Sequence, residues 1–424
     1  MASPQALYSR SEAHRSGAST DYGRSVSQYP LGVLFPKCVG EIEKLIQHAA
    51  AEKLPVTVRG RGHSVYGQAQ IAGGVVIDTR DLNGIRWSGP NTIDAQPGAL
   101  WLDVAKLALQ RGLTPPVVPD VGVTLTVGGM LSVGGQGETS HRHGALVDNL
   151  VELEVVTGRG DRVVCSPFRN RDLFDAVRAG MGQCGVIVRA RLKLIPAPKV
   201  TATAITTTTP GEWLATLREK TLANEAAVTG SLVKTADGWQ GRVIDTAFDP
   251  PVVGPSTTYF QYLDRNTASY QASERNGDVL LPHPNMSFSV PADAAPALLE
   301  RILKDPEMTL GIQRINASFH DASKFGAPLL AKPASSHAFQ LRLNKQAAAP
   351  GSDAHMRMLA ANRQLMTELL AMGAKVYLPY APPPTRADLV AQYGDERLRA
   401  FADMKKRFDP AGILGQGALA ALTQ

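Results

Sequence analysis

Cysteine is scarce. The 424 residues hold only Cys38, Cys165 and Cys184, an odd number at wide spacing, which argues against a disulfide framework and a paired-cysteine zinc site. This usage fits a reducing compartment, and a cytoplasmic location is expected. No apolar run reaches membrane-spanning length, and the first ten residues lack the continuous apolar core of a secretory signal. No membrane partner is expected. Like-charged residues do not gather into a run or stripe: the formal net charge is +6, but Lys and Arg are scattered among acids, so nucleic acid is not an expected partner either. The chain also lacks the Lys-Ser/Thr ending of a phosphate-binding P-loop, the dinucleotide fingerprint of a doubly wound fold, and a nucleophile elbow. His63 has no second ligand at metal spacing, and His141 with His143 is a lone pair, so no metal is expected.

What is present is an ordinary globular composition, 44% hydrophobic and 19% charged, on a chain too long for one growing core. Two domains, or one domain with a large insertion, are expected. After a polar and mobile start, Ile42, Leu45, Ile46, Ala49 and Ala50 recur at helical spacing and lead into a strand over 54–58. A second strand is expected over 74–78, and a helix over 101–111 ends at Gly112. Residues 150–157 alternate apolar and charged side chains, turn at 158–161 and return over 162–165 as a hairpin. A helix through Leu173, Phe174 and Val177 leads to a strand over 185–190, and composition shifts at the prolines near 196–198. Beyond a middle third without an assignable motif come a helix over about 353–372, a strand over 375–378 and a helix carrying Leu398, Phe401, Lys405 and Phe408 on one face. There is no internal repeat.

Two glycine-rich segments carry the chemistry. Arg59, Gly60, Arg61, Gly62, His63 and Ser64 follow the first strand as a polar turn in which glycine reaches the conformations that aim backbone N–H groups into one concavity. A diphosphate suits such a nest. An isolated match is more often a plain surface turn with an incidental histidine, but residues 126–137 supply a second glycine-rich stretch, too rich in glycine for a helix or strand interior. Two such loops beside strands suggest an elongated dinucleotide lying along both.

The segment Val58-Arg-Gly-Arg-Gly-His-Ser-Val-Tyr-Gly-Gln-Ala69 resembles the flavin-attachment loop of cytokinin dehydrogenases, within the vanillyl-alcohol-oxidase-like, PCMH-type flavoproteins. Thr126-Val-Gly-Gly-Met-Leu-Ser132, Arg142-His-Gly144, the stretch from Asn149 to Thr157, Asp172-Leu-Phe-Asp-Ala-Val177, Gly185-Val-Ile-Val-Arg-Ala190, Tyr377-Leu-Pro379 and the closing run from Met404 to Pro410, with Ile413 and Leu414, continue the resemblance in the same order. It implies an α+β fold in two domains: a PCMH-type FAD-binding domain from residues 1–198, closed by 375–424, and a central α+β substrate domain over 199–374. FAD would be bonded through its 8α-methyl to His63. Arg59, Gly60, Arg61, Gly62, Ser64 and Gln68 would wrap it. Thr126, Gly128, Gly129, Ser132 and Ile187 would meet it from the opposite side, with Tyr377 facing the ring and Gln416 in the closing segment. No cysteine falls in 134–143, where bicovalent relatives place a second bond, so attachment through His63 alone is expected.

The implied reaction is hydride removal from a C–N or C–O bond of a small molecule, with oxygen or another acceptor reoxidising the cofactor. Cytokinin-like N6-substituted adenines are the first candidates, a secondary-metabolite or alcohol/sugar oxidase is the alternative, and a non-catalytic flavin-binding protein is the rival of another class. The resemblance places a catalytic aspartate before the second glycine-rich loop, where Asp120 is the carboxylate present. Asp120 also follows Pro119, so proton acceptor and turn residue both stand as readings. It lies one residue further from Thr126 than the resemblance requires, which makes Val121 the competing occupant. Thr229 stands where relatives carry a glutamate and Tyr380 where they carry a histidine, so the pocket departs from the pattern more than the cradle does.

Overall fold

A computed structural model describes residues 7–251, 255–415 and 420–422. Three larger sheets and a two-stranded one, Leu113–Thr114 with Ile195–Pro196, organise a mixed α and β chain among the described residues. Gly32–Leu34, Val75–Asp78 and Val56–Arg59 form a parallel sheet with the 75–78 strand in the centre. All four residues of Val75–Asp78 are buried, as expected for a strand covered on both faces. The helix Val39–Glu52 packs on it through Ile42, Leu45, Ile46 and Ala49, all fully buried. It ends where Lys53 takes the left-handed conformation, φ 52°.

The expected hairpin, Leu150–Thr157 and Arg162–Cys165, is the edge of a five-stranded antiparallel sheet that also contains Gly185–Lys193, Thr92–Ala95 and Ile85–Gly89. The unassigned middle of the sequence folds as an eight-stranded antiparallel sheet. Its strands Gly238–Phe248, Ala227–Thr235, Ile312–Asp321 and His337–Lys345 pair antiparallel in that spatial order, and Lys375–Val376 closes the far edge against Met286–Pro291. Among the described residues, no helix is long and apolar enough to cross a membrane.

Three expectations are corrected. The polar start is ordered from residue 7 onward: Ser11 caps the helix Glu12–Ala18, Ser9 pairs with Val33 beside the parallel sheet, and Thr20 to Gly23 lie against the first glycine-rich loop. Polar side chains misled here because this segment is held through hydrogen bonds rather than an apolar face. The second glycine-rich segment was expected to be neither helix nor strand, yet Val127–Val133 is a short α-helix. Thr126 caps it by accepting from the Gly129 N–H at 3.3 Å, and a Cβ on Gly128 would lie 2.6 Å from Pro97 Cβ. Close packing, not turn geometry, is what glycine supplies at 128. Finally, the strand expected over 375–378 stops at Val376, and Leu378–Tyr380 forms a 3-10 turn that brings Tyr377 and Tyr380 to the central cavity.

Candidate active site

Strand ends and loops from the three larger sheets converge on one open cleft. The first glycine-rich loop leaves the parallel sheet at Arg59 and lines this cleft with Gly60, Arg61, Gly62, His63, Ser64 and, further on, Gln68. Thr126, Gly128, Gly129 and Ser132 line it from the capped helix, Ile187 from the antiparallel sheet, and Tyr377 from the closing segment. The two glycine-rich segments touch: a Cβ added to Gly60 would lie 2.2 Å from Thr126 Oγ1. Glycine is required there by close approach, and at Gly62 by its φ of +67°.

Arg59 is placed differently from the other loop residues. Its side chain donates to the Thr20 carbonyl at 2.5 Å, and a Cβ on Gly62 would lie 2.4 Å from its Nη2. It supports the loop rather than lining the cleft. Gln416 falls outside the described residues.

Sequence reasoning missed the clamp that holds the loop. Asp21 Oδ2 accepts from the Ser64 hydroxyl at 3.0 Å and from the Gly67 N–H at 2.8 Å, and the Tyr22 N–H donates to the Gly62 carbonyl at 2.8 Å. Burial pushes the Asp21 carboxyl up to about 6 despite these bonds and the nearby Arg59 charge. Gln68 ties the loop to the closing segment, donating to the Leu378 carbonyl at 2.9 Å.

His63 sits in a row of rings. Tyr22 stacks on it at 5.2 Å and on His283 at 4.6 Å, and Tyr270 is tilted against it at 5.8 Å. Burial, reinforced by the Arg61 and Arg59 charges, pulls its imidazole down to about 4. The ring is therefore neutral at physiological pH, the state in which a ring nitrogen has a lone pair to bond with.

Asp120 lies in the turn after Pro119, so its two readings coincide in one place: it is a turn residue and it lines the cleft, as Val121 does. Its backbone carbonyl accepts from Asn266 Nδ2 at 3.0 Å. Beside it stands Glu138, which no motif in the sequence marks. Glu138 accepts hydrogen bonds from Tyr262 and from Arg265, whose guanidinium lies 4.1 Å above the Tyr262 ring. Burial first, and the Asp120 charge as well, raise its carboxyl against the pull of Arg265.

The cleft fits FAD. The first glycine-rich loop lines it with closely packed glycine backbone, which suits a diphosphate, and presents a neutral histidine, while half-buried Tyr377 and Tyr380 and the carboxylate of Asp120 also line it. Comparison with known proteins agrees. Residues 30–166 match the FAD binding domain family. The chain is 34% identical over 436 aligned positions to an uncharacterized oxidoreductase, ORF5 in the fasciation locus of Rhodococcoides fascians, covering 97% of this chain and 98% of that one. It is 45% identical over 190 residues to cytokinin dehydrogenase 1 of Oryza sativa subsp. japonica, and 41% identical over 187 residues to cytokinin dehydrogenase 2 of Arabidopsis thaliana. Each of these plant alignments covers 43% of this chain, but only 36% and 37% of the respective enzymes.

Fold, cleft and kinship together define an FAD-dependent oxidoreductase. The chain belongs to the cytokinin dehydrogenase-like family of FAD-linked oxidoreductases.

Proposed function

We propose that the protein carries FAD bonded covalently to His63 alone and oxidises a C–N or C–O bond of a small organic donor, with Asp120 accepting the proton released. The observation that carries this reading is the shared cleft: a neutral His63 in the first glycine-rich loop, and Asp120 and Tyr377 on its walls.

FAD, when bound, supplies the two-electron acceptor; the protein's own residues supply position and proton transfer. Gly60, Arg61, Gly62, Ser64, Gln68, Thr126, Gly128, Gly129, Ser132 and Ile187 would hold the cofactor, and Tyr377 would face its ring. Loss of a hydride from an amine or alcohol carbon makes the attached N–H or O–H acidic, and a carboxylate within reach takes that proton. Asp120 is suited to this role because the neighbouring Glu138 is already committed to Arg265 and Tyr262.

Cytokinin-like N6-substituted adenines are the first donors to test, with oxygen or an artificial acceptor closing the cycle. We also propose that residues 1–198 and 375–424 form the cofactor domain and 199–374 the substrate domain; the eight-stranded sheet built mostly from that middle segment supports the division. A reducing, cytoplasmic setting is proposed as well. All three cysteines are free, and burial raises Cys165 and Cys184 to about 12, keeping them as thiols. The direct test is anaerobic mixing of the yellow protein with candidate donors: bleaching of the flavin absorbance by a C–N or C–O donor supports oxidation, and no bleaching with any donor refutes it.

A further inference from the structure

The wall facing the cofactor cradle comes from the eight-stranded sheet, and its character bears on the donor. Side chains alternate across a strand, so the register fixes which residues share a face. Arg342 pairs with Ser287 on one side and Asn316 on the other, while Gln340 pairs with Ser318. These five residues and Thr229 line the cleft. Their neighbours in sequence, Phe288, Ile315, Phe319, Phe339, Leu341 and Leu343, are buried in the core on the opposite face. Apart from Ala317, the sheet thus turns a polar surface to the cleft.

Local hydrogen bonds determine what that surface offers. Ser287 donates to the Leu341 carbonyl at 3.2 Å and accepts from Gln340 Nε2 at 2.8 Å. Asn316 uses its Oδ1 to accept from Asn344 Nδ2 at 2.7 Å, which leaves its own amide N–H groups as the donors it can offer. Ser318 is held by His320 Nε2 at 2.7 Å. Arg342 is the exception. Among the described residues its guanidinium makes no hydrogen bond or ion pair, and its Nε is shielded from water without a partner.

The groups that share its electrostatic surroundings are the phenols of Tyr22, Tyr377 and Tyr380. Burial raises all three, so they stay neutral and do not balance the charge. Asp120 and Glu138 form a separate acidic neighbourhood with Arg265. A guanidinium that faces a cleft with its Nε shielded from water and no counter-charge is a ready partner for a ligand that supplies one, and its planar fork matches an oxyanion.

We propose that the donor is an anion: its carboxylate or phosphate pairs with Arg342, Asn316 donates to its neighbouring polar atoms, and its oxidisable C–N or C–O bond lies toward Asp120. The inference rests on the reading of this cleft as the donor site. It points away from purely apolar substrates, because an isoprenoid-like chain would leave this wall unpaired.

The test is a binding measurement that needs no turnover. Dissociation constants for benzoate, phenyl phosphate and benzamide are measured by calorimetry on the flavin-loaded protein and on Arg342→Met and Arg342→Lys, with flavin content and melting temperature recorded for each. The expected result is that one of the two anions binds roughly tenfold to hundredfold tighter than benzamide. The better anion identifies carboxylate or phosphate; Arg342→Met loses the preference and Arg342→Lys keeps part of it. Benzamide binding as tightly as both anions overturns the proposal. So does an anion preference that survives Arg342→Met, or a variant whose only change is an altered flavin spectrum, which would assign Arg342 to the cofactor. Should Arg342→Met fail to fold, the wild-type ratio and Arg342→Lys decide. Failure of the donor-site reading looks different: anion preference intact, but no donor of either charge bleaching the flavin.

Discussion

The carboxylate of Asp21 accepts a hydrogen bond from the Ser64 hydroxyl at 3.0 Å, joining a segment near the start of the chain to the loop that presents His63. The same oxygen takes the Gly67 N–H, so one buried acid fixes both ends of the turn.

This clamp has a pH signature. Burial holds the Asp21 carboxyl at about 6 instead of 3.8, so the folded protein binds this proton more tightly than the unfolded chain does. Ionised Asp21 therefore costs stability. The cost is absent below about pH 4, grows as pH rises to about 6, and then stays constant at about 3 kcal/mol. Asp21→Asn does not incur it. Denaturation at pH 4 and pH 7 should show the stability of the Asn variant relative to wild type rising by about that amount; a gap that does not change with pH refutes the assignment.

Asp120 stands in a turn and in the cleft, and the two roles separate by measurement. Asp120→Asn preserves the shape of the turn but cannot take a proton. We expect flavin reduction by a good donor to slow by about 10²- to 10⁴-fold, with flavin content and melting temperature unchanged. Stopped-flow reduction checks this. A variant that reduces at the wild-type rate would leave Asp120 as turn chemistry alone.

Lys405 is the buried cation on the expected apolar face of the helix Asp395–Phe408. Its ammonium donates to the carbonyls of Gln183 and Leu414, each at 2.7 Å, and to the buried Asp409 at 2.5 Å. Lys405→Met leaves the Asp409 carboxylate without its counter-charge. Chemical denaturation should show a loss of about 3–5 kcal/mol, partly recovered in Lys405→Met/Asp409→Leu. A loss below about 1 kcal/mol would mean that this tie of the closing segment to residues 182–185 is not structural.

The glycine-rich walls of the cleft were legible in the sequence because they are built from backbone: glycine at 60 and 128 marks close approach, and at 62 a positive φ. The helix over 39–52 and the 150–165 hairpin were legible through periodicity. The clamp at Asp21 was not, since nothing local distinguishes a buried acid from a surface one until Ser64 and Gly67 are folded against it. Arg342 lies in His337–Lys345, where polar and apolar residues alternate visibly, but the sign of the alternation does not say which face meets solvent and which meets a ligand. The same ambiguity hid Glu138: its partners Tyr262 and Arg265 lie more than 120 residues away, and only the fold brings them together.

The covalent bond to His63 is the central claim, and peptide mass mapping after acid precipitation tests it most directly. The account predicts a yellow pellet and a proteolytic peptide containing His63 that carries the mass of FAD, lost in His63→Ala with no flavin moving to another peptide. A colourless pellet with all flavin free in the supernatant, or flavin on a peptide that lacks His63, would contradict it.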